Sequence, residues 1–316
     1  MKNILVTGGA GFIGSHVADR FLAQGCTVTV LDDLSSGKTE NVPRSARMQE
    51  LDIGSPQAHA LVRDGDFDVI AHLAAQIDVR KSVSDPQFDA RVNVLGTINL
   101  LEALRARSSG RPARLVFAST GGALYGEGAP VPTAESAPAN PDAPYGIDKL
   151  SAELFLAYYA RVWGLDTVAL RFGNVYGPRQ NPHGEAGVIA IFAQRLLDEK
   201  GLIVFGDGSQ TRDYVYVEDV ADAFIAASTR SLPAPGPLGD RAFNIGTGVE
   251  TSVTAIAKML GDAAGRPARI EHRPARAGEL QRSALDVAKA KTVLDWQAKL
   301  DLRAGLGRTY AWLAAQ

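Results

Sequence analysis

Tyr145 and Lys149 stand four residues apart in "PYGIDKLSAELFLAYYA", a segment of helical periodicity, and positions i and i+4 share one face of a helix. The spacing sets an ammonium beside a phenol. A tyrosine near its ordinary pKa of about 10 is a poor base at neutral pH, and bringing it near 7 takes roughly 4 kcal/mol of preferential stabilisation of the phenolate. A buried lysine and a second nearby cation could supply that. Ser119 and Thr120 close the preceding apolar run "FAST", and the C-terminal ends of strands are where ligands sit in open α/β sheets. Both hydroxyls therefore come within reach of the phenol, with strand-end capping as the plain alternative. A Tyr-x-x-x-Lys match also arises by chance, so the surrounding elements have to be read with it.

The first of these is "TGGAGFIGSH", with Gly8, Gly11 and Gly14 spaced three apart. Ile4, Leu5 and Val6 precede the turn as a short run of the kind buried in a parallel sheet, and Phe12, Ile13, Val17 and Phe21 follow at helical spacing. Strand, glycine turn and helix N-terminus together bring backbone N–H groups and the helix dipole to an anion such as a diphosphate. Glycines by themselves would equally fit a structural turn. A second strand, "TVTVLDDL", ends in Asp32, about 20 residues on, where a dinucleotide site places an acid on the ribose hydroxyls.

Strand-like runs recur at "FDVIAHL" (67–73), "RLVFAS" (114–119) and "TVALRF" (167–172), separated by helical segments such as 88–107. This alternation predicts an α/β fold with a doubly wound parallel (Rossmann) sheet. Within the helix after Pro144, Leu150, Leu154 and Leu156 are expected to face inward. Loops rich in Gly, Pro, Asn and Arg after residue 172 mark a smaller, mixed α/β domain. The expected division is 1–171 with 214–230 for the cofactor domain and 172–213 with 231–316 for the second.

The chain has 316 residues, is 46% hydrophobic and carries a formal net charge of −2. Nothing in it suggests binding to nucleic acid or an anionic membrane surface. The single cysteine, Cys26, excludes an intrachain disulfide. With no signal-peptide pattern and no membrane-length apolar run, the cytoplasm is the expected compartment. The five histidines show no ligand spacing, His72 reads as a packed residue, and no metal is expected.

Glycine turn, Asp32, strand-end hydroxyls and the Tyr/Lys pair occur in order, and the chain resembles the extended short-chain dehydrogenase/reductase superfamily. Within it, the chain is similar to the UDP-glucose/UDP-galactose 4-epimerases. In the first domain the resemblance rests on "TGGAGFIGSH", "LDDLSSGK", "HLAA", "NVLGT", "FASTGG" and "YGIDK". In the second it rests on "RFGNVYGPRQ", "VFGDGSQTRDYVYVEDVA", "FNIGTG" and "RPARAGE".

The resemblance implies NAD as cofactor. It gives Gly8, Gly11, Phe12, Ile13 and Gly14 the pyrophosphate, Asp32 the adenosine ribose and Asp52 with Ile53 the adenine edge. Leu73, Ala74, Ala75 and Asn93 complete the cofactor contacts. Tyr145 becomes the acid/base, Lys149 its orienting cation, and Thr120 the partner of the sugar hydroxyl. The stretch from Thr120 to Tyr125 is one residue longer than the usual pattern, which keeps Ser119 as its rival. Asn174, Arg212, Arg276 and Glu279 match substrate-binding positions, and Ile203 and Phe205 would offer backbone groups to the uracil. Ser283, seven places after Arg276, would line the sugar pocket and leave room for a 2-acetamido group. The implied reaction interconverts UDP-glucose and UDP-galactose through a 4-keto intermediate, in a homodimer paired through segments 88–107 and 146–163. A UDP-uronate 4-epimerase is the nearest alternative. A dehydratase or decarboxylase would need an acid after Thr120, where Gly121 and Gly122 stand. A nonenzymatic dinucleotide sensor would not need the Tyr/Lys/Thr set.

Overall fold

The computed structural model describes residues 2–107, 112–183, 187–276 and 280–316, and every count or absence below refers to these. The chain runs β1 (Asn3–Thr7), α1 (Phe12–Ala23), β2 (Thr27–Asp32), β3 (Arg47–Glu50), α2 (Pro56–Asp64), β4 (Val69–His72), α3 (Val79–Ser84) and α4 (Pro86–Ala90). It continues through a π-helical turn at Arg91–Leu95 into α5 (Gly96–Arg105), then β5 (Arg114–Thr120), α6 (Pro144–Trp163), β6 (Asp166–Phe172), β7 (Asn174–Tyr176) and α7 (Val188–Leu197). The remainder comprises β8 (Leu202–Phe205), β9 (Thr211–Tyr216), α8 (Val217–Thr229), β10 (Ala242–Ile245), β11 (Glu250–Ser252), α9 (Val253–Ala263), β12 (Ile270–Arg273) and α10 (Leu302–Ala314).

Seven strands form one sheet in the order β10-β6-β5-β4-β1-β2-β3, and all of its pairings are parallel. Successive side chains of a strand point to opposite faces, and here both faces are covered. Ile4 and Val6 pack with Val17 and Phe21 of α1 and Phe224 of α8, whereas Leu5 packs with Leu100, Leu101 and Leu104 of α5 and Leu156 of α6. That is why β1 reads as an unbroken apolar run. A third core gathers Phe192, Val204, Ile256 and Leu306 from the elements after β7.

Two strands bear on the expected domain division, and one expected side-chain orientation is corrected. β10 lies within 231–316, the range given to the second domain, yet it pairs with β6 as the edge of the large sheet; Leu294 and Trp296 pack into the core beside α8 as well. β9, whose end falls in the range 214–230 expected for the cofactor domain, joins β7 and β11 in a separate three-stranded sheet, and its following helix α8 returns to the first layer. Leu154 is half exposed, while Leu156 is buried: the helix turns 154 onto the same outer face as Ile147 and Tyr158.

Candidate active site

The glycine turn is shaped by backbone crowding. Gly8 has φ +70°, and a Cβ there would lie 2.6 Å from the Ala74 nitrogen; a Cβ on Gly14 would lie 2.1 Å from the Gly8 carbonyl. Gly9, which the three-apart reading passed over, would place its Cβ 2.8 Å from Val30. Gly11 differs, since its Cβ would meet only the Gly8 carbonyl at 3.2 Å. It precedes α1, whose N-terminus carries no side-chain cap, so Phe12 and Ile13 begin a helix whose first N–H groups are open to an anion. This cradle fits a dinucleotide pyrophosphate. Asp32 stands at the end of β2, where its Oδ2 accepts from Ala10 N (2.9 Å) and its Oδ1 from Leu34 N (2.9 Å). Burial nonetheless holds its pKa above the ordinary carboxylate value.

The segment after β4 is fixed from two sides. Thr7 Oγ1 accepts from Leu73 N and Ala74 N, both at 3.2 Å, ahead of Ala75. Asn93 clamps Gln76, accepting from its N–H (3.0 Å) and donating to its carbonyl (2.9 Å). Asn93 therefore holds the cofactor-side loop rather than presenting a free amide. His72 is buried between Thr7 Oγ1 (2.8 Å) and Thr97 Oγ1 (3.0 Å), and burial together with the Lys149 charge lowers its pKa to about 3. It is a neutral, packed histidine. Asp52 Oδ1 accepts from Gly54 N (2.7 Å), and the buried Ile53 packs against Gly96.

α6 brings the Tyr/Lys pair to the end of β5. Pro144 opens the helix and Gly164 closes it at φ 68°, the order that helix ends favour. Lys149 Nζ donates to the Ala118 carbonyl (2.9 Å) and lies 4.6 Å from the Phe117 ring centre. Burial lowers its pKa to about 8 against the opposing pull of Asp89, Glu153 and Asp148. Gly146 packs against the Ala123 carbonyl, which sets Tyr145 beside the turn that follows Thr120. Ser82 of α3 accepts from Tyr145 N (3.2 Å), supplying the first turn of α6 with a cap its own sequence lacks. Burial and the Asp89 charge raise the phenol's pKa.

The two strand-end hydroxyls part company. Ser119 is buried and donates to Glu153 Oε1 (2.5 Å). Glu153 also receives Arg171 Nη2 (2.6 Å), and Arg171 Nη1 donates to the Tyr125 hydroxyl (2.9 Å), which donates to Asn244 Oδ1 (2.9 Å). Asn244 Nδ2 then reaches the carbonyls of Thr133 (2.9 Å) and Asp286 (3.0 Å). Thr120 lies outside this chain, half-buried, with its Oγ1 accepting from Ala123 N (3.2 Å). Thr120→Ala is thus expected to lower kcat about 10- to 100-fold, the equivalent of one hydrogen bond to developing charge. Ser119→Ala should instead lower stability with kcat little changed. The reverse order in steady-state assays would return the role to Ser119.

Sequence reasoning did not single out Glu153 and Arg171, although both left a signal. Glu153 repeats the four-residue step of Tyr145 and Lys149, and Arg171 is a charge inside an otherwise apolar strand.

Asn174 and Thr120 face each other across Gly122, where a Cβ would lie 3.7 Å from Asn174 Oδ1 and 4.0 Å from Thr120 Oγ1. Ser283 lines a small cleft with Gly121, Gly122, Tyr125 and Arg282. Arg276 stacks its guanidinium 3.8 Å from the Phe205 ring centre, and Arg212 Nη1 donates to the Thr211 carbonyl (2.8 Å). In β8, Leu202 N and Gly206 N bond to the β12 side, so the alternation turns the backbone groups of Ile203 and Phe205 to the opposite edge. There Gln210 Nε2 donates to the Phe205 carbonyl (3.0 Å). Glu279 lies outside the described residues.

Parallel sheet, glycine turn and helix-borne Tyr/Lys pair define a dinucleotide-binding fold with a phenol and an ammonium at the strand ends. Residues 4–246 match the NAD dependent epimerase/dehydratase family, and the chain belongs to that family. A UDP-glucose 4-epimerase of Mycolicibacterium smegmatis is 46% identical over 311 residues, with 96% of each chain covered. Among solved structures, a UDP-glucose 4-epimerase of Thermotoga maritima with UDP-glucose superposes with a TM-score of 0.92 at 42% identity, covering 99% of both chains. A Thermus thermophilus UDP-glucose 4-epimerase in complex with NAD gives 0.87 at 41% identity, covering 98% of both.

Proposed function

We propose that the protein is an NAD-dependent UDP-glucose 4-epimerase, interconverting UDP-glucose and UDP-galactose. One observation carries the reading: the catalytic helix pins Lys149 to the Ala118 carbonyl and lays Gly146 against the turn after Thr120. Phenol, ammonium and the Thr120 hydroxyl are thereby brought to the C-terminal ends of the strands, on the side of the sheet that also bears the glycine turn. NAD, when bound on the glycine turn and Asp32, would supply a hydride acceptor and a positive charge. Tyr145 takes and returns the proton of the sugar 4-hydroxyl, Thr120 holds that hydroxyl, and Lys149 orients the phenol. Asn174, Arg212 and Arg276 grip the diphosphate, where guanidinium forks suit phosphate oxygens. Binding strength then sits remote from the reacting carbon, leaving the sugar free to present either face.

The cofactor part is proposed to follow the large sheet, β10 included, and the sugar-nucleotide part to comprise the elements around β8, β12 and α9. Ser283 is placed on the sugar, where its small volume leaves space for a 2-acetamido group. Leu95 at the end of the π-helical turn and Ile147, Leu154, Tyr158, Val162 and Trp163 on α6 are each 41–59% exposed; we assign this face to a homodimer, which a mass of two chains in light scattering would support. No helix is long and apolar enough to cross a membrane, Cys26 is free, and we place the enzyme in the cytoplasm.

The deciding experiment incubates the purified protein separately with UDP-galactose and UDP-glucuronate and identifies products by NMR. A C4 epimer from UDP-galactose is expected. An epimer from UDP-glucuronate alone, or a 4-keto-6-deoxy sugar or pentose, would overturn the reading.

A further inference from the structure

Two buried carboxylate oxygens lack a donor, and they belong to neighbouring side chains. Asp148 immediately precedes Lys149 on α6, and Asp89 lies on α4, which packs against α6. Asp89 is fully buried and Asp148 is 8% exposed. Asp89 Oδ1 accepts from Gln76 Nε2 (2.5 Å), and the Asp89 carboxyl is near enough to that of Asp148 to push its pKa up. The Oδ2 atom of each is buried with no hydrogen-bond partner. An ionised carboxylate can only accept. Two such groups in contact repel each other and stay unsatisfied, whereas one proton between them makes an O–H···O bond and removes a charge.

We infer that Asp89 and Asp148 hold one proton between them at neutral pH and act, as a pair of net charge −1, as positioning residues that set the charge of Tyr145 and Lys149. Burial and the Asp89 carboxyl push Asp148 up to about 7, the direction this sharing requires. Among the other charges packed around α6, Glu153 also favours the Lys149 ammonium but is itself paired with Arg171 of β6, and the β4 histidine, His72, is neutral. Lys81 of α3 lies over the Phe88 ring, and Glu102 of α5 pairs with Arg105 at the far end of the helix. With one proton the pair keeps Lys149 an ammonium. Losing that proton would leave the pair doubly negative, next to an Asp89 charge that already opposes ionisation of Tyr145.

The assigned role rests on the reading of Tyr145 as acid/base, whereas the shared proton does not. Infrared difference spectra of the holoprotein test the proton directly. The native protein should show the C=O band of a protonated buried carboxyl at mildly acidic pH that disappears on alkalinisation, and both Asp148→Asn and Asp89→Asn should lack it. Absence of the band from the native protein overturns the proposal. The role is tested by titrating the phenolate absorbance, taken as a difference against Tyr145→Phe. In Asp148→Asn, where the second charge cannot form, the Tyr145 midpoint should fall by about one pH unit. An unchanged midpoint overturns it. Full turnover by Tyr145→Phe would sink the functional reading while leaving the band in place, so the two failures are distinguishable.

Discussion

Turnover by Tyr145→Phe is expected to fall by about 10²- to 10⁴-fold, the usual contribution of a positioned acid/base, while NAD content and UDP affinity stay close to native. The substitution removes one hydroxyl and almost no volume. The α6 backbone is held independently of that hydroxyl, through Ser82 at Tyr145 N and through Lys149 at Ala118, so the ring should keep its place. Calorimetry with UDP and release of cofactor on denaturation check the binding half, and NMR product formation checks the chemistry. Near-native turnover would remove Tyr145 from the reaction. The phenol is buried and close to Asp89, and both effects raise its pKa. Its basicity must therefore come from cations brought against it.

A different loss is expected from Glu153→Ala: about 3–5 kcal/mol of folding stability, the cost of stranding one member of a buried ion pair. The Glu153 and Arg171 side chains are each 2% exposed, and removing the carboxylate orphans Ser119 Oγ and most of the guanidinium together. The double variant Glu153→Leu/Arg171→Met should recover much of the loss, because a buried pair replaced whole by apolar groups costs little. Denaturant unfolding of the native, single and double variants gives the cycle. A single-variant cost below about 1 kcal/mol, in the range of exposed pairs, would show that water reaches the guanidinium.

What could be read in the sequence is what nearest neighbours determine. The glycine turn and the Tyr/Lys pair are local patterns, and each lands where its spacing put it. Ser119 remained a rival to Thr120, because adjacent residues of a strand face opposite ways and a one-residue shift exchanges them; that Ser119 is bonded to Glu153 depends on a residue from another element. Gly121 and Gly122 correctly left no acid after Thr120, yet the room they create beside Ser283 depends on a segment about 160 residues later. The Asp89/Asp148 contact joins two helices whose sequences contain no joint signal, and helix 88–107 conceals a π-helical turn that places Asn93 on Gln76. The pairing of β10 with β6 was illegible for the same reason. Nothing local distinguishes β10 from a strand of the smaller sheets.

β10 also bears on how the chain reaches its native state. Its partner β6 ends at Phe172, and β10 begins at Ala242, so about 70 residues must be made before that edge is covered. Until then β6 presents an apolar strand with unpaired backbone groups, the form of edge that recruits other chains. Non-local pairing of this kind slows folding and prolongs exposure of the edge. The vulnerable species is therefore a nascent or refolding chain in which six strands have assembled and the seventh has not. Slower synthesis between residues 172 and 245, or dilution during refolding, should govern the yield of native protein more than any substitution within the completed sheet.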